Sequence, residues 1–176
     1  MNEGQKKINF QIKIAENESF LDLKLCAKEF IEFVDDFKKK FQNKKFFILT
    51  AYDNCTLIGI LIAEDKSNDI DSLDKIIPKM RLYLVYVNPK FRHLHVGKRL
   101  INTFLMIKKK EGYAGIIVKL PQNYRKGINY FLKNSFLNHR FYLKGIKDSK
   151  MEMEMDLWNN LGIREYIAID NFTYDI

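Results

Sequence analysis

Several short stretches of the chain show the apolar and polar pattern of β-strands. Ile8 to Ile14 alternates between the two residue classes. Phe46 to Tyr52 and Thr56 to Asp65 are rich in β-branched and aromatic residues and flank the turn-forming pair Asp53-Asn54, which predicts a hairpin. Met80 to Val87 is apolar at nearly every position, which predicts a central strand that is covered on both faces.

Other stretches repeat apolar residues every three or four positions, which is the period of an α-helix. A long pattern follows the N-cap candidates Asn17 and Ser19 and continues to Phe41, as one helix or two. A second helix is predicted from Gly97 to about Lys110, and its apolar face consists of Leu100, Ile101, Phe104 and Leu105. A third, shorter helix is predicted to start near Asn123 and to bury Ile128, Phe131, Leu132 and Phe136.

The remaining strands are predicted at 115–120, 141–146 and 150–157. The last one alternates Met151, Met153, Met155 and Leu157 with Glu152, Glu154 and Asp156, so the acidic residues should share one sheet face. Residues 66–79 read as a loop, with a possible helical turn at 71–77, and 158–176 form an acidic tail. The element order predicts a single α/β (α+β) domain over residues 1–176, with three layers in which helices flank a mixed sheet of about seven strands.

Charge changes this picture, because it is distributed unevenly along the chain. Residues 79–150 carry 17 Lys and Arg against 2 Asp and Glu, while both flanking segments are mildly acidic. Such a basic block predicts a phosphate-bearing partner, which can be a nucleic acid or a polyphosphate cofactor. For any one lysine, a solvated surface position is the simpler explanation.

The two cysteines and the chain start predict a cytoplasmic protein. Cys26 and Cys55 lie far apart and match neither a disulfide framework nor a metal spacing. No apolar run has the roughly 20 residues that a membrane span needs, and the start lacks the apolar segment of a signal peptide. A monomer or a homodimer is equally compatible with the sequence.

Residues 92–99 form the motif with the clearest chemistry. Arg92, His93, His95, Lys98 and Arg99 surround Gly97, where the strand at 80–87 is followed by a helix. The first amides of a helix lack intrahelical partners and lie at its positive end, so this loop predicts an anion site formed by the amides of 94–98. The glycine allows a ligand to approach the backbone closely.

The segments MRLYLVYVNP, RHLHVG, KRLINTFL, GIIVKL and NYFLKNSF together resemble the Gcn5-related N-acetyltransferases, the GNAT superfamily. The resemblance implies that the loop binds the pyrophosphate of acetyl-CoA and that the chain is an acyl-CoA-dependent N-acyltransferase. Arg92 then takes the first place of the family signature and Gly97 the last. His95 stands at a glycine position, a replacement that is tolerable if this residue has a negative φ and offers only its amide.

By this resemblance, cofactor contacts are assigned along the strand, the loop and the third helix. Tyr86 and Val87 are expected to pair with the pantetheine, Asn123 to bond it further along, and Lys98, Arg99 or Lys133 to meet the 3′-phosphate. The full set of expected cofactor residues is Tyr86, Val87, Arg92, His93, Leu94, His95, Val96, Gly97, Lys98, Asn123 and Lys133.

The catalytic acid and base are harder to assign from the resemblance. Phe131 occupies the position at which the family often has a tyrosine acid, and Tyr130 is one residue earlier, about 100° away on a helix. Glu64, Asp65, Glu152 and Glu154 are the candidate bases. Tyr83 and Tyr86 are expected on opposite faces of their strand, because their separation is odd.

Three other hypotheses were weighed against the transferase. A metal site is disfavoured, since His93 and His95 have no Cys or carboxylate beside them. Nucleic-acid binding stays open as an added property, for an enzyme associated with RNA or ribosomal protein, but most aromatics of the basic block fall at core spacing. A CoA sensor without activity is the third. The acceptor is expected to be a small cationic amine or a protein amine, which the acidic face of 150–157 would suit.

Overall fold

The computed structural model describes residues 9–15, 46–66 and 78–158. The predicted long helix between Asn17 and Phe41, the loop at 67–77 and the tail beyond Trp158 lie outside these residues. The strands are β1 (Gln11–Ile14), β2 (Phe46–Asp53), β3 (Thr56–Asp65), β4 (Lys79–Val87), β5 (Gly115–Pro121), β6 (Ser135–Phe136), β7 (His139–Arg140), β8 (Tyr142–Lys147) and β9 (Lys150–Asp156). The helices are α1 (Val96–Lys110) and α2 (Arg125–Lys133), and Pro89–Leu94 forms a 3-10 helix.

Seven of the strands form one mixed sheet, which confirms the predicted fold class. Their order is β1-β2-β3-β4-β5-β9-β8, and β6 and β7 pair separately as a small hairpin. Only β4 and β5 run parallel among these pairs, because α1 connects them, whereas the other neighbours are antiparallel. The predicted hairpin joins β2 to β3, but its turn lies one residue later than predicted, at Asn54 and Cys55, with Asn54 at φ 53°.

A β-bulge at Tyr83 interrupts β4. Ile62 pairs with Leu84 while the next residue of β3, Ala63, pairs with Leu82, so Tyr83 is an extra residue. The extra residue inverts the alternation, and Tyr83 and Tyr86 both pack against the cluster around Ile60. The expectation that these tyrosines occupy opposite faces was therefore wrong, because an odd separation gives opposite faces only in a regular strand.

The parallel strands β4 and β5 part beyond the bulge. Their pairing runs from Lys79 with Gly115 to Leu82 with Val118. From Lys119 onwards the register of β5 continues with β9 alone. A wedge-shaped opening is therefore left between the carboxyl-terminal parts of two adjacent parallel strands, which is where α/β sheets bind ligands.

Both helices pack on one face of the sheet and form the main core with it. Leu100 and Phe104 of α1 are fully buried there, as the periodicity predicted, and Ile128 and Phe131 of α2 join the same cluster. Burial of such side chains stabilises the fold by about 1.5–3 kcal/mol each. This face of the sheet, with α1 and α2 on it, is called the helical face below.

The opposite sheet face carries a network of ion pairs around β9. Met153 and Met155 lie in the core, so Glu152 and Glu154 project the other way, as the alternation predicted. The Glu154 carboxylate lies 2.8 Å from the Lys79 ammonium, in a pair whose side chains are 4% and 11% exposed. Lys144, the extra residue of a bulge in β8, contacts both glutamates.

No helix within the described residues combines the length and the apolar character that crossing a bilayer requires.

Candidate active site

The 3-10 helix is anchored to the ends of the strands before it. The Asn88 amide donates to the carbonyl of Ile58 at 2.9 Å, and the Asn88 side chain accepts from the Lys90 amide at 3.1 Å. The Arg92 Nε donates to the carbonyl of Val87, the last residue of β4, at 3.0 Å. Arg92 therefore fixes the loop against β4, in addition to contributing positive charge to it.

His95 links the 3-10 helix to α1 in the left-handed conformation, with φ 56° and ψ 21°. The condition stated for this replacement, a negative φ, is not met, because the chain must change direction between two helices at this one residue. L-residues adopt this conformation at a cost of about 1–2 kcal/mol, which glycine avoids. Both His93 and His95 are exposed to solvent.

The N-terminus of α1 presents backbone amides without intrahelical partners. The Arg99 amide donates to the carbonyl of His95 at 3.0 Å, so the amides of Val96, Gly97 and Lys98 precede the first helical bond. The His95 side chain makes no capping hydrogen bond, and Leu94 already belongs to the 3-10 helix. The anion site predicted at 94–98 thus centres on the amides of 96–98.

Gly97 faces the end of β4 and the hydroxyl of Tyr130. A Cβ atom at Gly97 would lie 3.4 Å from Val87 Cγ2, 3.9 Å from Val85 Cγ1 and 3.7 Å from Tyr130 Oη. The start of α1, the wedge beside β4 and the middle of α2 therefore meet at one point. A larger side chain at Gly97 would fill this space.

The family often has a tyrosine at the position of Phe131, whereas the tyrosine of this chain, Tyr130, comes one residue earlier. Phe131 is 8% exposed and packs against Phe136 and Phe141, at ring distances of 6.2 and 5.2 Å. Tyr130 is 38% exposed and directs its hydroxyl toward Gly97. Burial raises the pKa of Tyr130 above its usual value of 10.0, so the hydroxyl keeps its proton at neutral pH.

The family model of the acetyltransferase (GNAT) family matches residues 14–136. The chain belongs to this family. It is an acyl-CoA-dependent transferase, and acetyl-CoA is its cosubstrate. No curated protein matches the chain by sequence.

Solved acetyltransferases share the fold at low sequence identity. PaiA N-acetyltransferase from Thermoplasma acidophilum, in complex with coenzyme A, is 19% identical, with a TM-score of 0.61 over 83% of this chain and 98% of that one. NAA60 from Arabidopsis thaliana, in complex with acetyl-CoA, is 12% identical, with a TM-score of 0.62 over 84% and 97%. The ribosomal-protein-S18-alanine N-acetyltransferase from Escherichia coli is 11% identical, with a TM-score of 0.58 over 85% and 94%.

The acetyltransferase places Asn123 and Lys133 at opposite ends of α2. Asn123 is exposed in the turn after β5, where the Asn123 carbonyl accepts from the Arg125 amide at 2.9 Å. Lys133 is exposed in the last helical turn, about 13 Å further along a helix of nine residues. Asn123 therefore follows the strand that forms one side of the wedge, whereas Lys133 lies a helix length away from that turn.

Glu64 lies next to the point at which β4 and β5 part. It pairs across strands with Arg81, one residue before Leu82, where the pairing with β5 ends. Its Oε2 lies 3.4 Å from the Lys66 ammonium, yet among the described residues this buried oxygen accepts no hydrogen bond. A carboxylate with such an oxygen can accept a proton.

Glu152 and Glu154 do not serve as free carboxylates in this acetyltransferase. Burial alone would raise the pKa of Glu154, but its bonds to Lys79 and Lys144 outweigh that effect and lower the pKa. The Glu152 carboxylate lies 2.8 Å from the Lys119 ammonium, and its pKa is lowered in the same way. The expectation of an acidic face open to a cationic acceptor was wrong, since lysines of neighbouring strands already neutralise it.

Sequence reasoning missed three features of this site. No periodic pattern in the sequence predicts the bulge at Tyr83, the left-handed conformation of His95 or the wedge between β4 and β5. The glycine that the family has at the position of His95 was the one available sign of a left-handed residue. Among the described residues, no group of three His, Cys, Asp or Glu side chains has the arrangement of a metal site.

Proposed function

We propose that the protein is an N-acetyltransferase that moves the acetyl group of acetyl-CoA to a primary amine in a ternary complex. The observation that carries the proposal is the meeting of three elements at Gly97. These are the uncapped amides of α1, the wedge between β4 and β5, and the Tyr130 hydroxyl.

The described residues fit the cosubstrate in two ways. The amides of Val96, Gly97 and Lys98 suit a pyrophosphate, and the Lys98 side chain adds positive charge beside them. The wedge beside Val85 and Val87 suits an extended pantetheine arm, and Asn123, in the turn after β5, is our candidate for a hydrogen bond to that arm. Arg99 and Lys133 are our candidates for the 3′-phosphate, although Arg99 also stacks on the Phe10 ring at 4.0 Å.

The bound cosubstrate supplies an acetyl thioester. The acceptor nitrogen forms a bond to the carbonyl carbon, and the carbon–sulfur bond breaks. Tyr130, which keeps its proton because burial raises its pKa, donates that proton to the departing thiolate. Glu64 receives the proton that the attacking amine loses, directly or through a water molecule.

The names of two relatives support a nitrogen acceptor. PaiA from Thermoplasma acidophilum and the ribosomal-protein-S18-alanine enzyme from Escherichia coli are both named as N-acetyltransferases. Because lysines neutralise the acidic side of β9, this face gives a small cationic amine no advantage over a protein amine. Cytoplasmic localisation and the oligomeric state stay predictions.

Thermal unfolding with acetyl-CoA tests the binding site. Saturating acetyl-CoA should raise the melting temperature of the wild type. At a hundredfold excess over Kd, the ligand adds about 2.7 kcal/mol to the free energy of unfolding. Gly97→Trp should remove this shift, because its indole fills the space beside Val87 and Tyr130. Gly145→Trp is the matched control, since a Cβ there meets no atom within 4 Å.

Release of free CoA with a panel of amines tests the chemistry. Turnover with a small amine or a peptide N-terminus establishes the transferase and names its acceptor class. A melting shift in the wild type that Gly145→Trp keeps and Gly97→Trp loses, with no turnover on any amine, would instead identify a CoA-binding sensor. No shift at millimolar acetyl-CoA would refute the binding site itself.

A further inference from the structure

The outer side of the helical face is strongly basic. Residues 88–140 contain a single acidic residue, Glu111, and its carboxylate is already paired with Lys108 at 2.7 Å. No ion pair involves the other cations of the helices, their loops and the β6–β7 hairpin within the described residues. These cations are Lys90, Arg92, Lys98, Arg99, Lys109, Lys110, Arg125, Lys126, Lys133 and Arg140.

The fold gathers these cations on one side of the molecule. α1 and α2 bury their apolar residues in the same core, so their polar sides both point away from the sheet. The β6–β7 hairpin buries Phe136 in that core, and its His139 Nε2 lies 3.3 Å from the Lys109 ammonium. The hairpin thereby places Arg140 near the C-terminal end of α1.

The other sheet face differs in charge although it also contains lysines. Lys79, Lys119 and Lys144 are all bound to Glu152 or Glu154. The asymmetry between the two faces therefore comes from where the carboxylates lie in the fold, and a uniformly lysine-rich composition does not explain it.

Acetyl-CoA accounts for the basic residues at only one end of α1. The 15-residue helix is about 22 Å long, and the proposed pyrophosphate site occupies its first turn. Lys109, Lys110 and Arg140 lie at the other end, beyond reach of a phosphate bound at residues 96–98. These three residues, called the far-end cluster, need another explanation.

We propose that the helical face binds the phosphate backbone of single-stranded RNA. Cations spread along both helices match a ligand with regularly repeated phosphates, and such contacts give affinity without sequence preference. The Tyr124 ring is 54% exposed beside Arg125 and Lys126, which suits stacking with a base. The proposal does not rest on acetyl transfer.

An anionic membrane fits this face less well than RNA does. A helix that binds at a membrane surface presents a continuous apolar side to the lipid. Here α1 and α2 direct their apolar sides into the core, and the large aliphatic side chains exposed on the described part of this face are Met106 and Leu137.

Fluorescence anisotropy with an oligouridine RNA of about 20 nucleotides tests the proposal. The far-end variant is Lys109→Glu, Lys110→Glu, Arg140→Glu. It should weaken RNA binding about tenfold and reduce the slope of log K against log salt by about 2, as expected for three lost contacts with a single strand. Its melting shift with acetyl-CoA should equal that of the wild type.

The matched control changes the net charge equally at exposed lysines away from the helical face. Lys13→Glu, Lys147→Glu, Lys150→Glu should keep RNA affinity within about threefold of the wild type. If both variants lost the same RNA affinity, net charge alone would explain the loss, and the proposal would be overturned. So would the absence of RNA binding at low salt, or binding to phosphatidylserine vesicles that the far-end variant loses while RNA binding is unchanged. Acetyl-CoA binding is measured independently by the melting shift. Failure of the RNA proposal therefore leaves the proposed acetyltransferase function standing, and the reverse also holds.

Discussion

Tyr130 shows how one helical position decides which aromatic residue reaches the proposed reaction site. Phe131 aligns with the family's tyrosine but is enclosed by Phe136 and Phe141, whereas the Tyr130 hydroxyl points to Gly97. The sequence alignment identified the right turn of the helix. It could not give the rotation of α2, because core packing against the hairpin sets that rotation.

Tyr130→Phe should reduce kcat by about a hundredfold while leaving the KM for acetyl-CoA nearly unchanged, since only the proton donor is removed. The raised pKa has a second consequence, that the wild-type rate holds until pH passes 10.0 and falls as Tyr130 ionises above it. The variant should lack this alkaline decline. Tyr124→Phe, at the other end of α2, is the control and should leave both rate and pH profile unaltered.

His95 carries backbone strain at the centre of the proposed anion site. A loop residue that joins two helical segments through a left-handed conformation is a natural glycine position. The identity of His95 was visible in the sequence, but its φ was not, because many loop residues of this kind have negative φ.

His95→Gly should raise the free energy of unfolding by up to about 1 kcal/mol, because relief of strain exceeds the added flexibility of the unfolded chain. His93→Gly should lower it by about 0.5–1 kcal/mol, since His93 has no strain to relieve. Urea unfolding measures both. If both variants raise, or both lower, the free energy of unfolding, the backbone of His95 is not strained.

At the scale of elements, β9 illustrates the limits of alternation as a guide. The pattern of methionines and acidic residues correctly assigned each residue of β9 to a face. Alternation within one strand cannot reveal what lies opposite on its neighbours. Lys119 on β5 and Lys144 at the bulge of β8 decide that the acidic side is an ion-pair network.

Glu154→Leu should destabilise the protein by about 3 kcal/mol at pH 7, because Lys79 then stays buried without its partner. The double variant Lys79→Leu, Glu154→Leu should recover most of this loss. The folded pKa of Glu154 lies below 4.5, so its contribution is present above that pH and fades as pH falls through the folded value.

Urea unfolding between pH 7 and pH 3 measures how the free energy of unfolding depends on the ionisation of Glu154. The wild type should lose more stability on acidification than Glu154→Leu, which has no carboxylate to protonate. An equal pH dependence in the two proteins would mean that Glu154 is not held ionised by its lysines.

For the whole molecule, the order of the main strands and helices and their buried faces could be predicted, because strand and helix periods are local properties of the chain. The β6–β7 hairpin was missed: Phe136 was assigned to the third predicted helix, but α2 ends at Lys133 and Phe136 lies in β6, where it pairs with His139. The site could be predicted as a place, the start of α1, since that position follows from the order of elements. Its details depend on irregular features, the bulge at Tyr83 and the turn at His95, which arise from contacts between strands and helices that are distant in sequence.

The charge distribution also belongs to this scale. The basic block of residues 79–150 is visible in the sequence, but the fold is needed to divide it into two sides. On one side the lysines pair with Glu152 and Glu154, and on the other the described part of the chain shows a single ion pair, Lys108 with Glu111. Lys79 and Lys119 lie in the block and are bound to Glu152 and Glu154, while Lys109 and Lys110 are not.

The parting of β4 and β5 divides the sheet into two halves, one of four strands and one of three. The halves share four residue pairs, from Lys79 with Gly115 to Leu82 with Val118. Acetyl-CoA bound in the wedge, as proposed, would bridge both halves like an added strand. Binding at the site would then be coupled to cooperative unfolding of the sheet, and the cosubstrate would also be a structural component of the enzyme.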